Sequence, residues 1–243
     1  MDRMIYLSMA GAKAAMQRQD VLSNNLANVS TNGFRAELQA FRAVPIRGDG
    51  ASTRAYSLET SVGYDDAAGP LTSTDRKLDV AMMGKSWLAV QALDGTEAYT
   101  RAGALDVNAD GILVMRNGLQ VQGDGGAIQA PPNSELSIGA DGTVSAKTAD
   151  STRSIPIGKL KLVTPEGPMQ RGDDGLFRAG DGNDLEADPN ARVQDGALEG
   201  SNVSPVETMV SMIASARQFE QQMKLLQIAQ TQGQESAKLL SES

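Results

Sequence analysis

Three places in this 243-residue chain carry residue types that could do chemistry. The first is Gly84-Lys85-Ser86, which has the form of the end of a phosphate-binding loop, where a lysine reaches phosphate from a glycine-rich turn. That loop needs a glycine five residues before Gly84, and Asp79 stands there. Trp87-Leu88-Ala89-Val90 follows, a strand pattern where a phosphate loop would open a helix, so the spacing predicts a tight turn between strands. Gly123-Asp124-Gly125-Gly126 reads the same way, because no helix follows to receive a pyrophosphate.

The second place is the acidic stretch from Asp173 to Asp195. Hard cations take several oxygens at fixed spacing. Asp181, Asn183, Asp184, Glu186 and Asp188 lack the alternating order and central glycine of a calcium loop, which leaves a solvated loop as the expectation. The third is the general supply of carboxylates, from which a glycosidase pair could be drawn. Nothing singles out a pair, and Trp87, four Tyr and four Phe are few platforms for sugars. The chain has no Cys and no His. Thiolate metal sites, disulfides, imidazole acid–base work and the Ser-His and Cys-His arrangements are thereby excluded. We expect no enzyme, no cofactor and no metal.

Net charge is -8. Phosphate neutralisation needs clustered Lys and Arg, so nucleic acid is not an expected partner. No apolar run approaches the ~18 residues of a membrane helix, so membrane insertion is not expected. Met4 to Ala12 is mildly apolar, and Ala10-Gly11-Ala12 imitates a signal-peptidase site. The apolar core is too short and Asp2 sits where basic residues belong, so a cleaved signal is not expected. Aromatics are only 4% of residues, which predicts a thin core or an extended molecule.

The elements that would position these residues fall into three compositions. Residues 2 to about 30 contain no Pro and only Gly11. Ile5, Met9, Ala12, Met16, Gln19, Leu22, Leu26 and Val29 alternate three- and four-residue spacings, the signature of one helix face. Asp2 is placed to cap that helix. At the other end, Ser204-Pro205-Val206-Glu207 is a capping box with Pro at the first helical position. Met209, Met212, Ala216, Phe219, Met223, Leu226, Gln230, Gly233, Ala237 and Leu240 then keep a strict 3-4 spacing, which predicts a coiled-coil seam. Between them the chain reads as β. Strand patterns at Leu78–Met83, Trp87–Leu93, Ile112–Arg116, Leu119–Gln122 and Leu160–Val163 are separated by Asp-Gly and Asn-Gly turns.

The expected fold is therefore α+β. Long N- and C-terminal helices pair as a coiled-coil-like arm, beside a central antiparallel β domain. The expected divisions are an N-terminal helix over 1–33, an extended connector over 34–75, a β domain over 76–202 and a C-terminal helix over 203–243. Each helical stripe is narrow and rich in Ala, Gln and Gly, so the pair alone would bury little area at about 25 cal/mol per Å². Docking against copies in neighbouring subunits would supply the rest.

The close of the first helix, Leu22-Ser23-Asn24-Asn25-Leu26-Ala27-Asn28-Val29-Ser30-Thr31-Asn32-Gly33-Phe34-Arg35, resembles the N-terminal signature of the flagellar axial proteins, the rod, hook and hook-associated subunits. The likeness continues. Phe34-Arg35-Ala36-Glu37-Leu38, Phe41-Arg42-Ala43-Val44-Pro45, Leu78-Asp79-Val80-Ala81, Trp87-Leu88-Ala89-Val90-Gln91, Glu97-Ala98-Tyr99-Thr100-Arg101 and Gly103 are similar to the proximal-rod branch. So are Leu198-Glu199-Gly200-Ser201-Asn202-Val203, Pro205-Val206-Glu207 and Ala216-Arg217-Gln218-Phe219-Glu220-Gln221-Gln222-Met223-Lys224. The stretch from Asp173 to Ala197 matches least.

The resemblance implies a structural subunit of the bacterial flagellar basal-body rod, exported by the flagellar apparatus and resident in the periplasm. It implies polymerisation through the terminal helices into a tube around the export channel. The implied partners are other rod subunits, copies of itself in a helical assembly, and the export apparatus. On that reading Met9, Met16, Leu22, Leu26, Met212, Phe219, Met223 and Leu226 carry helix packing, and Asn25 and Asn28 supply polar register contacts by analogy with buried Asn in coiled coils. The alternatives are a distal-rod or hook-type subunit of the same family, and a secreted calcium-binding or adhesive β protein.

Overall fold

The computed structural model describes residues 2–45, 55–148 and 153–241, with side chains described over 5–40, 63–148 and 153–234. The chain forms two compact units. One holds residues 1–29, 36–65 and 203–243; the other, the β unit, holds 30–35 and 66–202.

The first unit contains the two helices and a hairpin. Helix α1 runs Asp2–Ala27 and α2 runs Pro205–Ser241. At 1.5 Å per residue α2 is about 55 Å long. Its start follows the capping box: the Glu207 N–H donates to Ser204 Oγ at 3.5 Å and the Thr208 N–H donates to the Ser204 carbonyl at 3.0 Å. Strands β1 (Glu37–Pro45) and β2 (Ala55–Tyr64) pair antiparallel, with a register shift between Leu38 and Gln39. They fall within residues 34–75, read above as an extended connector. The centre of that stretch, 46–54, and the side chains of Ala237 and Leu240 lie outside the described residues.

The β unit follows the turn punctuation of the sequence. In chain order its strands are β3 (Leu71–Ser73), β4 (Val80–Met82), β5 (Trp87–Gln91), β6 (Glu97–Thr100), β7 (Leu105–Val107), β8 (Leu113–Met115), β9 (Gln120–Gly123) and β10 (Gly126–Ala127). Then come β11 (Ser134–Ile138), β12 (Thr143–Thr148), β13 (Ile155–Lys159), β14 (Leu162–Val163), β15 (Met169–Arg171), β16 (Phe177–Ala179), β17 (Val193–Asp195) and β18 (Ala197–Glu199). The largest sheet runs β15-β16-β6-β5-β9-β8-β7, with β10 on β9 and β14 on β5. β11-β12-β13 form a second sheet, while β17 pairs with β4 and β18 with β3. Every ladder is antiparallel. Leu88, Val90, Leu105, Leu113, Val121, Val144 and Leu160 meet in one apolar cluster. Trp87 is buried beside it and packs against Phe177 in a tilted pair, with ring centroids 4.7 Å apart and planes at 54°.

Two features of the expected fold class are corrected. The chain is β-rich, with helix confined to its two ends, and the terminal helices show no coiled coil. The finding that overturns the coiled coil is which residues face inward. On α2 the buried and half-buried positions are 208, 211, 212, 215, 216, 219, 222, 226, 229 and 233. Of the expected seam, 209, 223 and 230 are exposed, and in each case the residue before it, 208, 222 or 229, faces inward instead, as a turn of the helix about its axis would produce. Helix α1 does the same: Ser8 and Ala15 are buried where Met9 and Met16 were expected. Small side chains at the closest approach, Ala12, Ala15 and Ser215, let the helices lie near one another. The large apolar residues that face inward on α2, Met212, Phe219 and Leu226, are only half-buried and not the packed knobs a coiled coil requires. Residue spacing was legible, but the choice between adjacent positions was not. Met outscores Ala and Ser on hydrophobicity, while close approach selects the smaller residues.

Candidate assembly surface

The helix pair is antiparallel: Ser215 Oγ donates to the Ala15 carbonyl at 2.8 Å, and a Cβ on Gly11 would meet the Gln222 side chain at 2.9 Å. A side-chain hydroxyl can reach a carbonyl in the neighbouring helix only when the axes are near, which Ala12, Ala15 and Gly11 permit. This seam leaves large apolar side chains outside. Met9 and Met16 are 53% and 52% exposed on α1. On α2, Val206, Met209, Val210 and Ile213 are exposed, Val210 at 62%. They fall at i, i+3, i+4 and i+7, one continuous stripe across the first two turns. That stripe lies opposite the side bearing Thr208, Met212 and Ser215. The start of α2 thus carries its larger apolar side chains on the exposed side and Thr208 and Ser215 on the buried one.

The ten residues assigned to the interface are placed unevenly. Met9, Met16 and Met223 are exposed. Leu22, Leu26, Met212, Phe219 and Leu226 are half-buried within the first unit. Asn25 is buried, and its amide is used up inside the subunit: Nδ2 donates to the Glu37 carbonyl at 3.0 Å, and Oδ1 accepts from the Glu37 N–H at 2.9 Å. It pairs with the first residue of β1 as a neighbouring strand would. Asn28 Nδ2 donates to the Asn24 carbonyl at 2.9 Å, closing the last turn of α1.

Past that turn the chain enters the β unit and meets a charge cluster that spacing did not reveal. Glu199 is 1% exposed. Its Oε1 lies 2.7 Å from Arg35 Nη1, and its Oε2 lies 2.6 Å from Arg101 Nη2 and 2.8 Å from Arg101 Nε. Arg101 also donates to the carbonyls of Met82, Gly84 and Ser86 at 3.0, 2.9 and 2.6 Å. Burial pushes the Arg101 guanidinium below its usual value and the Glu199 charge opposes that. Outside the cluster, Arg171 lies over the Phe34 ring at 4.4 Å. Arg35, Arg101 and Glu199 each sit inside a string that carries the family resemblance, but nothing in one sequence says that they meet.

The residues that could have done chemistry serve the fold. Gly84-Lys85-Ser86 is the turn between β4 and β5, and Lys85 is exposed beside Asp66 at 3.6 Å. The acidic stretch is largely turn chemistry. Asp174, Asp181 and Asp188 accept from the N–H two residues on, at 3.1, 3.2 and 2.8 Å, as Asp94 and Asp141 do elsewhere. Hydrogen bonds from Arg178, Asn183 and Thr164 hold Asp174, Asp181 and Asp188 below the usual carboxylate value. Among the described residues no group of three or more carboxylates is placed to hold a metal, and no helix is long and apolar enough to cross a membrane.

Three family models match, in the order of the chain. Residues 5–35 match the flagella basal body rod protein model, 81–146 the flagellar hook protein FlgE/F/G D1 domain, and 194–239 the flagellar basal body rod FlgEFG protein C-terminal model. The rod protein FlgF of Salmonella typhimurium LT2 is 48% identical over 235 residues, covering 93% of each chain. FlgF of Escherichia coli K12 is 45% identical over 252 aligned positions, covering all of both. The chain belongs to the flagellar basal-body rod protein family. It is a structural protein of the flagellar basal body and not an enzyme. FlgG of Buchnera aphidicola subsp. Schizaphis graminum is a more distant relative, 31% identical over 89% of this chain and 91% of its own. The resemblance drawn from the Asn-rich signature is borne out, and this rod protein assembles with other flagellar axial subunits. The two terminal models cover both helices, and the stretch 147–193 lies outside all three.

Proposed function

We propose that this chain is a proximal-rod-type subunit that polymerises through its terminal segments, 1–33 and 203–243, into the tubular rod around the export channel. The observation that carries the reading is the apolar stripe Val206, Met209, Val210 and Ile213, exposed on the side of α2 away from its own helix partner. An unpartnered stripe of this size on a soluble subunit marks an association surface. The small-residue seam supports the same conclusion, because it buries little and leaves Met9, Met16 and Met223 for neighbouring subunits. A heterologous contact between such a surface and an unlike patch on the next subunit builds filaments where the rotation does not close. Leu22, Leu26, Met212, Phe219 and Leu226 then support the pair from within. The greater identity to FlgF proteins than to FlgG supports the proximal branch over the distal one. Passage through the flagellar export apparatus into the periplasm belongs to the same reading.

The test is Val210→Asp. The side chain is 62% exposed, so the purified subunit should keep its stability to within about 0.5 kcal/mol. Cells carrying it should lack rods in isolated basal bodies and should not swim. Normal motility with Val210→Asp would remove the stripe from the assembly surface and, with it, the reading.

A further inference from the structure

The chain passes into or out of the β unit four times, at 29/30, 35/36, 65/66 and 202/203. The segments of the β unit next to all four crossings converge on one carboxylate. Glu199 Oε1 accepts from Arg35 Nη1 at 2.7 Å and from the Gly69 N–H at 3.0 Å. The Glu199 carbonyl accepts from the Gly33 N–H at 2.8 Å. Arg35 Nη1 also donates to the Ala67 carbonyl at 2.6 Å, and Asn202 Nδ2 donates to the same carbonyl at 3.0 Å. The Gly200 N–H donates to the Pro70 carbonyl at 2.8 Å and the Asn202 N–H to the Phe34 carbonyl at 3.3 Å. Residues 31–35, 67–70 and 199–202 come from three distant parts of the sequence, and Glu199, in the third, is bonded to the other two.

A buried ion pair adds little net stability, because its desolvation cost is comparable to its attraction, but it discriminates strongly between arrangements. The apolar cluster that holds the sheets contains none of these groups. We propose that Glu199 is a positioning residue, an interlock that fixes the crossings of the β unit rather than a stabiliser of its sheets. Arg35 is the bolt, reaching both Glu199 and Ala67 from the segment that follows α1. Arg101 is the fixed side, anchored to the carbonyls of Met82 at the end of β4 and of Gly84 and Ser86 in the turn that follows. The interlock closes only when the N-terminal and C-terminal segments are both in place, so a subunit missing either has loose crossings. This inference stands on the β unit and does not depend on how subunits polymerise.

Site-resolved hydrogen exchange on the full chain tests it. Glu199→Gln keeps the shape and removes the charge. The amides of Gly33, Gly69, Gly200 and Asn202 should speed up at least about tenfold more than those of Ala89 and Leu113, which are bonded to Lys161 and Ile128 and report the unit's global stability. A residue that merely stabilised the unit would accelerate all six together. Arg35→Met gives the second measurement, since it leaves the Glu199–Arg101 pair whole and keeps the chain foldable if the Gln variant is not. It should loosen the same four amides more than the two sheet amides, by the same tenfold margin. Uniform acceleration, or none, in the variant that folds overturns the interlock.

Discussion

Replacing Arg101 with Met tests how the β unit bears a buried charge. Met has a similar length and leaves no large void, so the loss is electrostatic and not one of packing. The guanidinium is bonded to both a carboxylate and three carbonyls. Removing one partner of a buried pair costs about 3–5 kcal/mol, because the other charge stays desolvated and uncompensated. Here Arg35 remains on Glu199, which favours the lower half of that range. For a unit of this size each kcal/mol moves the midpoint by about 2–4 °C, so thermal unfolding should begin on the order of 10 °C earlier. Trp87 is the chain's single tryptophan, is buried, and lies 6.0 Å from the Arg101 guanidinium, so its fluorescence follows the β unit and not the helices. Raising the salt should leave the wild-type midpoint nearly unchanged, because buried pairs escape screening. A fall of less than about 1 kcal/mol for Arg101→Met would show that the cluster is hydrated or replaceable, and would refute the account of it.

The other expectations are narrower. Gly33 has φ +69°, and a Cβ there would stand 2.3 Å from the Ala102 nitrogen and the Arg101 carbonyl carbon. Backbone cannot yield as a flexible side chain can, so Gly33→Ala should cost more than about 4 kcal/mol and abolish a cooperative Trp87 transition. Tyr99 Oη accepts from the Leu185 N–H at 2.6 Å and donates to Glu97 at 2.8 Å, and burial raises its pKa well above 10.0. A raised folded pKa means the contribution is whole below pH 10 and is lost as pH climbs through the folded value. Ultraviolet titration should therefore show a delayed phenolate component that disappears in Tyr99→Phe. Asn25→Ala strands both backbone groups of Glu37, at about 1–3 kcal/mol each. It should speed exchange at the Glu37 amide and expose the β1–β2 hairpin to protease, without moving the Trp87 midpoint.

How much of this was legible in the sequence divides along a physical line. Local chemistry was readable. Ser204-Pro205-Val206-Glu207 starts α2 because a capping hydroxyl and a proline act within one turn. Asp94-Gly95, Asp110-Gly111, Asn117-Gly118 and Asp141-Gly142 punctuate strands because a glycine with positive φ is a local demand, met at Gly95, Gly111, Gly118 and Gly142. Contacts at long range were not readable. Glu199 and Arg101 are 98 residues apart, and an isolated Arg or Glu gives no sign of being buried. Asn25 shows the same limit from the other side. Its type suggested a polar contact between subunits, while its amide is spent on Glu37 within one subunit. The acidic stretch was read as a loop from its missing calcium-loop order, but that Asp174, Asp181 and Asp188 cap their own turns shows only once their neighbours' N–H groups are placed.

The shift of the helix seam connects the two halves of the molecule's behaviour. A seam built from Met9, Met16, Met209 and Met223 would satisfy the subunit alone and leave it little reason to associate. A seam that takes in Ser8, Ala12, Ala15 and Ser215 beside half-buried Met212, Phe219 and Leu226 brings the helices closer and leaves Met9, Met16, Met209 and Met223 exposed. On the proposed reading, stability of the isolated pair is given up for surface available to neighbours. The two residues nearest this division respond in opposite ways to the same change. Phe219→Asp places a charge in a half-buried position and should loosen the helix pair itself, seen as lost helical ellipticity in the monomer. Val210→Asp should leave ellipticity intact and act only on assembly. Equal loss of monomer helix in both variants would mean that the exposed stripe is held by the subunit after all.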